Sequence, residues 1–229
     1  MAVKALLFDV FGTVVDWRGS LIAELAAWRP DLDAAALADA WRAAYAPSMD
    51  QVRRGTLPWT NLDALHRTSI ETLAPKFGLP NLTDPELDWL THAWHRLTPW
   101  PDSVPGLTRL KARHIISPLS NGNVALLTNM AKHAGLPWDL ILSAEIFHHY
   151  KPDPETYLGA ASLLNLPPNQ VMLCAAHNAD LAAARSHGLQ TAFIARPTEY
   201  GPQQTHDLKA ESNWDFIVDS IEILADQIA

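Results

Sequence analysis

The feature that most limits the fold of this chain is the alternation of short apolar runs with helical patterns after residue 106. We predict strands and helices, in alternation, at residues 114–120, 123–134, 138–144, 153–165, 170–176, 180–187 and 190–195. A strand at 3–8 precedes them, and a short apolar piece and a helix follow at 215–228. Strands separated by helices form parallel sheets through right-handed crossovers. The pattern therefore predicts an α/β fold with a doubly wound parallel sheet.

The stretch from 16 to 98 shows helical patterns and no convincing strand. We predict helices at 20–28 and 34–46, and further helix starts at Pro58 and at Asp84-Pro85. The prolines and glycine of 98–106 predict a hinge. We expect an α/β core domain formed by 1–15 and 99–229, with an inserted helical cap domain at 16–98.

The composition narrows the class of partner. The formal net charge is −8, so we expect no broad nucleic-acid surface. No apolar stretch has the length of a membrane span, and the short N-terminal run, which Asp9 interrupts, is unlike a signal peptide. We therefore expect a cytoplasmic protein with no membrane partner. The single cysteine, Cys174, lies in an apolar run and is expected to be a buried, unreactive thiol.

Polar residues follow the predicted strands. Ligands of such sheets bind beyond the carboxyl ends of the strands. The residues at or near these ends are Asp9, Ser120, Asn121, Lys151, His177, Asn178 and Asp180. We interpret Asp9 as a carboxylate nucleophile at a strand tip, with Gly12 permitting the tight turn after it.

Each of these residues also has a purely structural interpretation. Asp9 suits a cap after a strand, and Ser120-Asn121-Gly122 suits an ordinary turn. Lys151 suits a solvated surface, and Asp180 suits a helix start, where a carboxylate is favoured anyway. Their convergence at one edge of the sheet favours the functional interpretation.

The ordered motifs resemble those of the haloacid dehalogenase superfamily over nearly the whole chain. Motif one is Asp9-Val10-Phe11-Gly12-Thr13, motif two is Ser120-Asn121-Gly122, motif three is Lys151-Pro152, and motif four contains Asp180. The resemblance implies a Rossmann-like core with a cap domain.

Phe11 selects a branch of that superfamily. Its phosphatases carry a second aspartate at this position to protonate the leaving group, and an aromatic ring supplies no proton. An aromatic residue here resembles the type II (S)-2-haloacid dehalogenases, which need no metal or other cofactor. The resemblance implies hydrolysis of small 2-haloacids, such as haloacetate and 2-halopropionate, to 2-hydroxyacids through a covalent Asp9 ester. The partners would be a small anionic substrate and the released halide.

The resemblance also implies roles for the site residues. The catalytic set would be Asp9, Lys151, Asp180, His177 and Asn178. The substrate-binding set would be Arg42, Ser120, Asn121, Phe11, Thr13 and Tyr157. Arg42 would receive the halide, Ser120 and Asn121 the substrate carboxylate. Asp180, with His177 or Asn178, would position the hydrolytic water.

Motif four departs from the family pattern. Where well-known members resemble Ser-Ser-Asn-x-x-Asp, this chain has Ala175 to Asp180 with His177 at the asparagine position. His177 suits a base, an orienter of water or a pocket wall. A tryptophan usual before Asp180 is replaced by Ala179, and Trp59 is a candidate to rebuild the halide pocket. These changes make cleavage of fluoroacetate worth testing.

Three points stay open from the sequence. A Mg²⁺-dependent phosphatase and a catalytically silent binding domain of the same fold are alternatives. A homodimer is possible, with Trp89 and Trp94 serving either an interface or, as we favour, the core.

Overall fold

The computed structural model describes residues 2–228. Its strands are β1 (Ala5–Phe8), β2 (Val15–Asp16), β3 (Thr98–Pro99), β4 (Ile115–Ser120), β5 (Leu142–Ser143), β6 (Val171–Ala175), β7 (Gln190–Ile194) and β8 (Phe216–Val218). Its α-helices are α1 (Trp17–Trp28), α2 (Ala34–Ala43), α3 (Tyr45–Arg53), α4 (Leu62–Leu73), α5 (Asp84–Thr91), α6 (Ser103–Lys111), α7 (Val124–Ala134), α8 (Ala144–Phe147), α9 (Pro154–Leu163), α10 (Asn178–Ser186) and α11 (Ile221–Gln227). Short 3₁₀ segments cover Ala74–Phe77, His92–His95 and Pro168–Gln170.

Six strands form one parallel sheet in the order β5-β4-β1-β6-β7-β8. All four residues of β1 are buried, as expected for a central strand covered on both faces. Strands β4 and β5 lie on one side of β1, and β6, β7 and β8 lie on the other, so the strand order reverses at β1. The α/β fold with a doubly wound parallel sheet is confirmed.

The register of the central strands brings their carboxyl ends together. Phe8, the last residue of β1, pairs with Pro118 of β4 and with Cys174 of β6. The next residue, Asp9, donates its backbone N–H to the Cys174 carbonyl at 3.0 Å. The side chains that follow these strands therefore share one crevice at the strand-order reversal, where such sheets bind ligands.

The segment between β2 and β3 is helical, and these two strands lie where the chain leaves and re-enters the α/β part. They pair antiparallel, Val15 with Pro99 and Asp16 with Thr98. The helices begin at residues whose side chains accept backbone N–H bonds, such as Asp16, Asp33 and Asn61. The division into a core and a cap domain at 16–98 stays a prediction.

Several element boundaries differ from those predicted. The helix expected at 34–46 ends at Ala43, and α3 begins at Tyr45. Pro47 explains the break, because a proline is tolerated in the first turn of a helix but clashes with the carbonyl four residues earlier. Pro58 does not start a helix, since α4 begins at Leu62 after the Asn61 cap. The strand expected at 138–144 is reduced to two residues at the sheet edge.

Helix α10 begins at Asn178, two residues before the start predicted at Asp180. Cys174 is fully buried in β6, and burial raises the pKa of its thiol. Trp94 is fully buried and stacks on Trp17, whereas Trp89 is 38% exposed. Within residues 2–228, no helix is long and apolar enough to cross a lipid bilayer.

Candidate active site

A cavity of about 640 Å³ lies at the carboxyl edge of the sheet, between the strand tips and helices α1–α3. Its walls are formed by Asp9, Phe11, Trp17, Asp39, Arg42, Ala43, Tyr45, Ala46, Asn121, Lys151, Pro152, Tyr157, His177, Ala179, Asp180 and Tyr200. The walls combine aromatic rings with a few charged groups, the composition typical of a small-molecule site.

Asp9 is the most densely hydrogen-bonded of the charged groups. Its Oδ1 accepts from the Lys151 ammonium at 3.0 Å, and its Oδ2 accepts from the Thr13 hydroxyl at 2.8 Å. His177 Nδ1 lies 3.1 Å from the same Oδ2. Burial opposes charge on Asp9, but Lys151 and His177 outweigh it and hold the pKa of the carboxyl well below its usual range. Asp9 is therefore an ionised, buried carboxylate that faces the cavity.

Lys151 joins two carboxylates. Its ammonium also donates to Asp180 Oδ2, and Tyr157 donates its hydroxyl to Asp180 Oδ1 at 2.6 Å. Burial alone would lower the pKa of Lys151, but Asp180 and Asp9 raise it above the usual value. The lysine therefore stays charged and bridges the two carboxylates.

His177 is bound on both sides by carboxylates. Its Nδ1 faces Asp9, and its Nε2 lies 2.9 Å from Glu199 Oε2. Glu199 is 1% exposed and also accepts from the indole N–H of Trp17 at 3.0 Å. Burial lowers the pKa of His177, but Glu199 and Asp9 together raise it well above the ordinary value.

Arg42 forms the cationic wall opposite the strand tips. Its guanidinium lies over the rings of Tyr45 at 4.3 Å and Trp17 at 5.3 Å, and Tyr200 lines the same cavity. Nη1 of Arg42 is buried and has no hydrogen-bond partner among residues 2–228. A buried, positively charged guanidinium that has not used all its hydrogen-bond donors is suited to binding an anion.

Asn121 is held in place through its amide oxygen. Its Oδ1 accepts from the backbone N–H of Lys151 at 2.7 Å, and both Asn121 and Tyr45 line the cavity. Phe11 lines the cavity and meets the rings of Trp94 and Tyr45 edge to face, at 5.9 and 6.4 Å. Both residues therefore lie where a substrate would contact them.

Four residues expected to contact ligand do not line the cavity. Thr13 lies against Asp9 instead, and its hydroxyl also accepts from the Ala176 N–H at 2.9 Å. Ser120 is fully buried and binds the Gly122 N–H within its own turn.

The other two lie farther from the strand tips. Asn178 is turned away from the cavity, where its amide binds Asp207, the Lys209 carbonyl and Trp214, because a helix start directs successive side chains to different sides. Trp59 stacks on His148 with ring centroids 5.2 Å apart, so it does not rebuild a halide pocket.

The sequence analysis missed Glu199, Tyr45, Tyr200 and Trp17. Glu199 and Tyr200 follow β7 by a few residues, so the strand-end argument that located Asp9 and His177 also applied to them. Tyr45 comes three residues after Arg42, on the other side of the break between α2 and α3, and its contact with Arg42 depends on that break. For Trp17, no local pattern distinguishes a cavity wall from the core.

One group of metal-ligand type exists among the described residues, namely His149, Asp153 and Glu155. None of the three lines the cavity. Asp153 already forms an ion pair with Arg53 at 2.9 Å, so we assign the group no function.

Comparisons with known proteins agree with this geometry. The sequence model of a hydrolase family, the haloacid dehalogenase-like hydrolases, matches residues 3–188. The crystal structure of the L-2-haloacid dehalogenase PA0810 is 55% identical, with a TM-score of 0.96 and 99% of each chain covered.

Two other proteins extend the comparison. The structure of the defluorinating L-2-haloacid dehalogenase Rha0230 is 52% identical with a TM-score of 0.95, covering 99% of this chain and 95% of the other. The curated (S)-2-haloacid dehalogenase 1 of Pseudomonas sp. (strain CBS-3) is 28% identical over 222 residues, which is 92% of this chain and 94% of that protein.

The chain belongs to the haloacid dehalogenase-like hydrolases, as the fold, the matched family model and the two solved structures show. Within that family its place is among the 2-haloacid dehalogenases, hydrolases that act on carbon–halide bonds. The resemblance read from the four motifs is thereby confirmed.

The bridging role of Lys151 predicts the behaviour of Lys151→Met. Without the ammonium, Asp9 and Asp180 face each other as like charges, which raises the pKa of at least one of them. We expect a carboxyl of the pair to take up a proton at higher pH than in the wild type, measured by NMR titration of ¹³C-labelled aspartate. Lys132→Met, at an exposed position of α7, is the control and should leave the carboxyl resonances of Asp9 and Asp180 unchanged. Identical titrations in the wild type and in Lys151→Met would contradict the bridge.

Proposed function

We propose that this chain hydrolyses small 2-haloacids to 2-hydroxyacids, with Asp9 as the covalent nucleophile. The observation that carries the proposal is the pairing inside one cavity of an ionised Asp9, fixed by Lys151, with a buried Arg42 guanidinium that has an unused N–H. A carboxylate nucleophile needs an electrophilic carbon whose leaving group departs as an anion, and Arg42 offers that anion a binding site.

In the first step, a carboxylate oxygen of Asp9 attacks C2 of the substrate in line and expels halide. Oδ2 already accepts from Thr13 and His177, whereas Oδ1 accepts from Lys151 alone among its hydrogen-bond donors in residues 2–228. The lone pair free for attack is therefore on Oδ1. In-line attack inverts the configuration at C2 and leaves an Asp9 ester.

Two groups of the site address the other charges of the substrate. In this proposal Asn121, which lines the cavity, holds the substrate carboxylate, and Ser120 shapes its turn by accepting from the Gly122 N–H. Arg42 takes up the charge that develops on the halide. The rings of Phe11, Tyr45 and Trp17 exclude water and so strengthen both interactions.

In the second step, water attacks Cγ of the Asp9 ester. Asp180 accepts the proton of that water, because it lies beside Asp9 across the shared Lys151 ammonium, and Tyr157 fixes its other oxygen. Collapse of the tetrahedral intermediate breaks the bond from Cγ to Oδ1, and the 2-hydroxyacid leaves with the proton that Asp180 accepted. The second proton of the water passes to solvent, which restores the Asp9 carboxylate with one oxygen from water.

Fluorinated acids belong to the proposed substrate range. The 52% identical Rha0230 is described as defluorinating, and this chain shares its fold over 99% of its length. Fluoride is a poor leaving group and a strong hydrogen-bond acceptor. Arg42, the arginine in the cavity wall, supplies the positive charge that such a departure needs.

A phosphatase of this fold would need a proton donor at the position of Phe11. Phe11 occupies the position of the phosphatase acid, and its buried ring lines the cavity. The space between the Asp9 and Asp180 carboxylates is taken by the Lys151 ammonium. Independence of metal, a homodimer and a cytoplasmic location stay predictions of the sequence.

The direct test is halide release from the separate enantiomers of 2-chloropropionate, and from fluoroacetate, in EDTA. We expect release from the (S) enantiomer and a 2-hydroxyacid of inverted configuration. Asp9→Asn should lose activity by roughly 10⁴–10⁶-fold, the range known for removal of a nucleophile. Mg²⁺-dependent phosphate release from phosphate esters, without halide release, would instead support the phosphatase.

The role given to Arg42 predicts a leaving-group effect. Arg42→Lys keeps the charge but loses the planar fork, so rate losses of about 10²-fold are expected, as for removal of one oxyanion donor. The loss should be larger for fluoroacetate than for bromoacetate, because bromide needs less stabilisation. Arg54→Lys, at a guanidinium exposed to solvent, is the matched control. Equal losses for both leaving groups would contradict a halide site at Arg42.

A further inference from the structure

Glu199 is the charged residue of this region to which the proposed mechanism gives no task. It is 1% exposed and lies in the segment after β7, far in sequence from the four motifs. Its carboxylate accepts from the Trp17 indole at 3.0 Å and lies 3.1 and 2.9 Å from His177 Nε2. A carboxylate buried this deeply needs charged or hydrogen-bonding partners, and His177 is the cationic candidate in contact with it.

The backbone around Gly12 is shaped to admit this carboxylate. Gly12 has φ +86°, and a Cβ built on it would collide with the Glu199 side chain. The glycine of the first motif therefore leaves room for Glu199 as well as permitting the turn. The Glu199 carboxylate and the nucleophile's loop are packed as one unit.

The two ring nitrogens of His177 fix its protonation state. In a neutral imidazole one nitrogen carries a lone pair. Here Nδ1 faces Asp9 Oδ2 at 3.1 Å and Nε2 faces Glu199 at 2.9 Å, so a neutral ring would direct that lone pair at a carboxylate. The doubly protonated ring satisfies both contacts, and these two carboxylates raise the pKa of His177 in spite of its burial.

We propose, on the basis of the dehalogenase function above, that Glu199 is a positioning residue that keeps His177 protonated through the ester stage of the reaction. Once Asp9 is esterified it has no charge, and Glu199 then holds the proton on the ring. His177 Nδ1–H and the Thr13 hydroxyl both point at Oδ2. As water attacks Cγ, the carbonyl electron pair moves onto Oδ2, and these two donors stabilise the resulting oxyanion.

The charged and titratable groups around His177 are few. Asp9 faces it from the loop after β1, and Glu199 and Tyr200 face it from the segment after β7. Lys151 acts on it through Asp9, and Arg42 through Tyr200. Asp180 lies on the same helix and binds Lys151. Two of these carboxylates contact His177, namely Asp9 and Glu199. Asp9 loses its charge when it is esterified, whereas Glu199 keeps its charge throughout the reaction.

The test is the pH dependence of kcat in Glu199→Gln, with Glu199→Asp and Glu211→Gln alongside. The wild type should show no loss of kcat as pH rises through neutrality. In the ester of Glu199→Gln both carboxylates that raise the pKa of His177 are neutral, and burial lowers that pKa below its ordinary value of about 6.5, so kcat should already fall as pH rises toward neutrality. The fall should reach about 10²–10³-fold, the cost of losing one oxyanion donor.

The intermediate gives a second readout. Because the first step is spared, the Asp9 ester should accumulate in Glu199→Gln at high pH and be detected by intact-protein mass. Glu199→Asp keeps the charge and should restore the flat pH profile in part. Glu211 is exposed, and Glu211→Gln should match the wild type.

Three results would overturn the proposal. They are a wild-type pH profile in Glu199→Gln, a rate that rises with deprotonation of His177, and a neutral His177 in ¹⁵N NMR spectra of the resting wild type at pH 7. The NMR measurement needs no turnover and applies even where Glu199→Gln does not fold. Absence of halide release by the wild type would therefore refute the proposed function, while the NMR still decides whether His177 is protonated between Asp9 and Glu199.

Discussion

The Lys151 ammonium, placed between the Asp9 and Asp180 carboxylates, is the interaction on which the rest of the site depends. Two buried carboxylates this close would share a proton without a cation between them. Lys151 bridges the two and holds the pKa of Asp9 well below its usual range, so the proposed nucleophile is ionised beside the proposed base. In the proposed reaction Asp9 is then the nucleophile of the first step and Asp180 the base of the second, and neither residue takes over the role of the other.

The fold supplies this arrangement through its topology. Asp9 follows β1, the point at which the strand order reverses, and α10, which carries Asp180, follows the neighbouring β6. Lys151 comes from the loop before α9, where its backbone N–H is fixed by Asn121. Four segments far apart in sequence thus meet at one sheet edge, and helices α1–α3 cover them with aromatic rings and Arg42.

The chain replaces an asparagine of the family pattern by His177, and the structure shows how that replacement is accommodated. A second cation beside Asp9 requires a second anion, and Glu199 is present in contact with it. Trp17 and the open space at Gly12 in turn hold Glu199. His177 therefore fits at this position together with the neighbouring residues that hold its carboxylate partner.

Much of the site was predictable from the sequence because strand ends in a parallel sheet converge. That argument places Asp9, Asn121, Lys151, His177 and Asp180 together, and all five line the cavity. It fails for Asn178, since neighbouring residues at a helix start point in different directions, and for Ser120, whose hydroxyl is used within its own turn. Glu199 follows β7 and was within reach of the same strand-end argument, whereas the position of Trp17 in the cavity wall depends on tertiary contacts that no local pattern encodes.

A single turnover in H₂¹⁸O, with enzyme in excess over (S)-2-chloropropionate, tests the covalent Asp9 ester most directly. The account predicts that the 2-hydroxyacid carries an unlabelled oxygen taken from Asp9, and that the peptide containing Asp9 gains one heavy oxygen. Label in the product of that first turnover, with none in Asp9, would show that water attacks the substrate directly and would contradict the account.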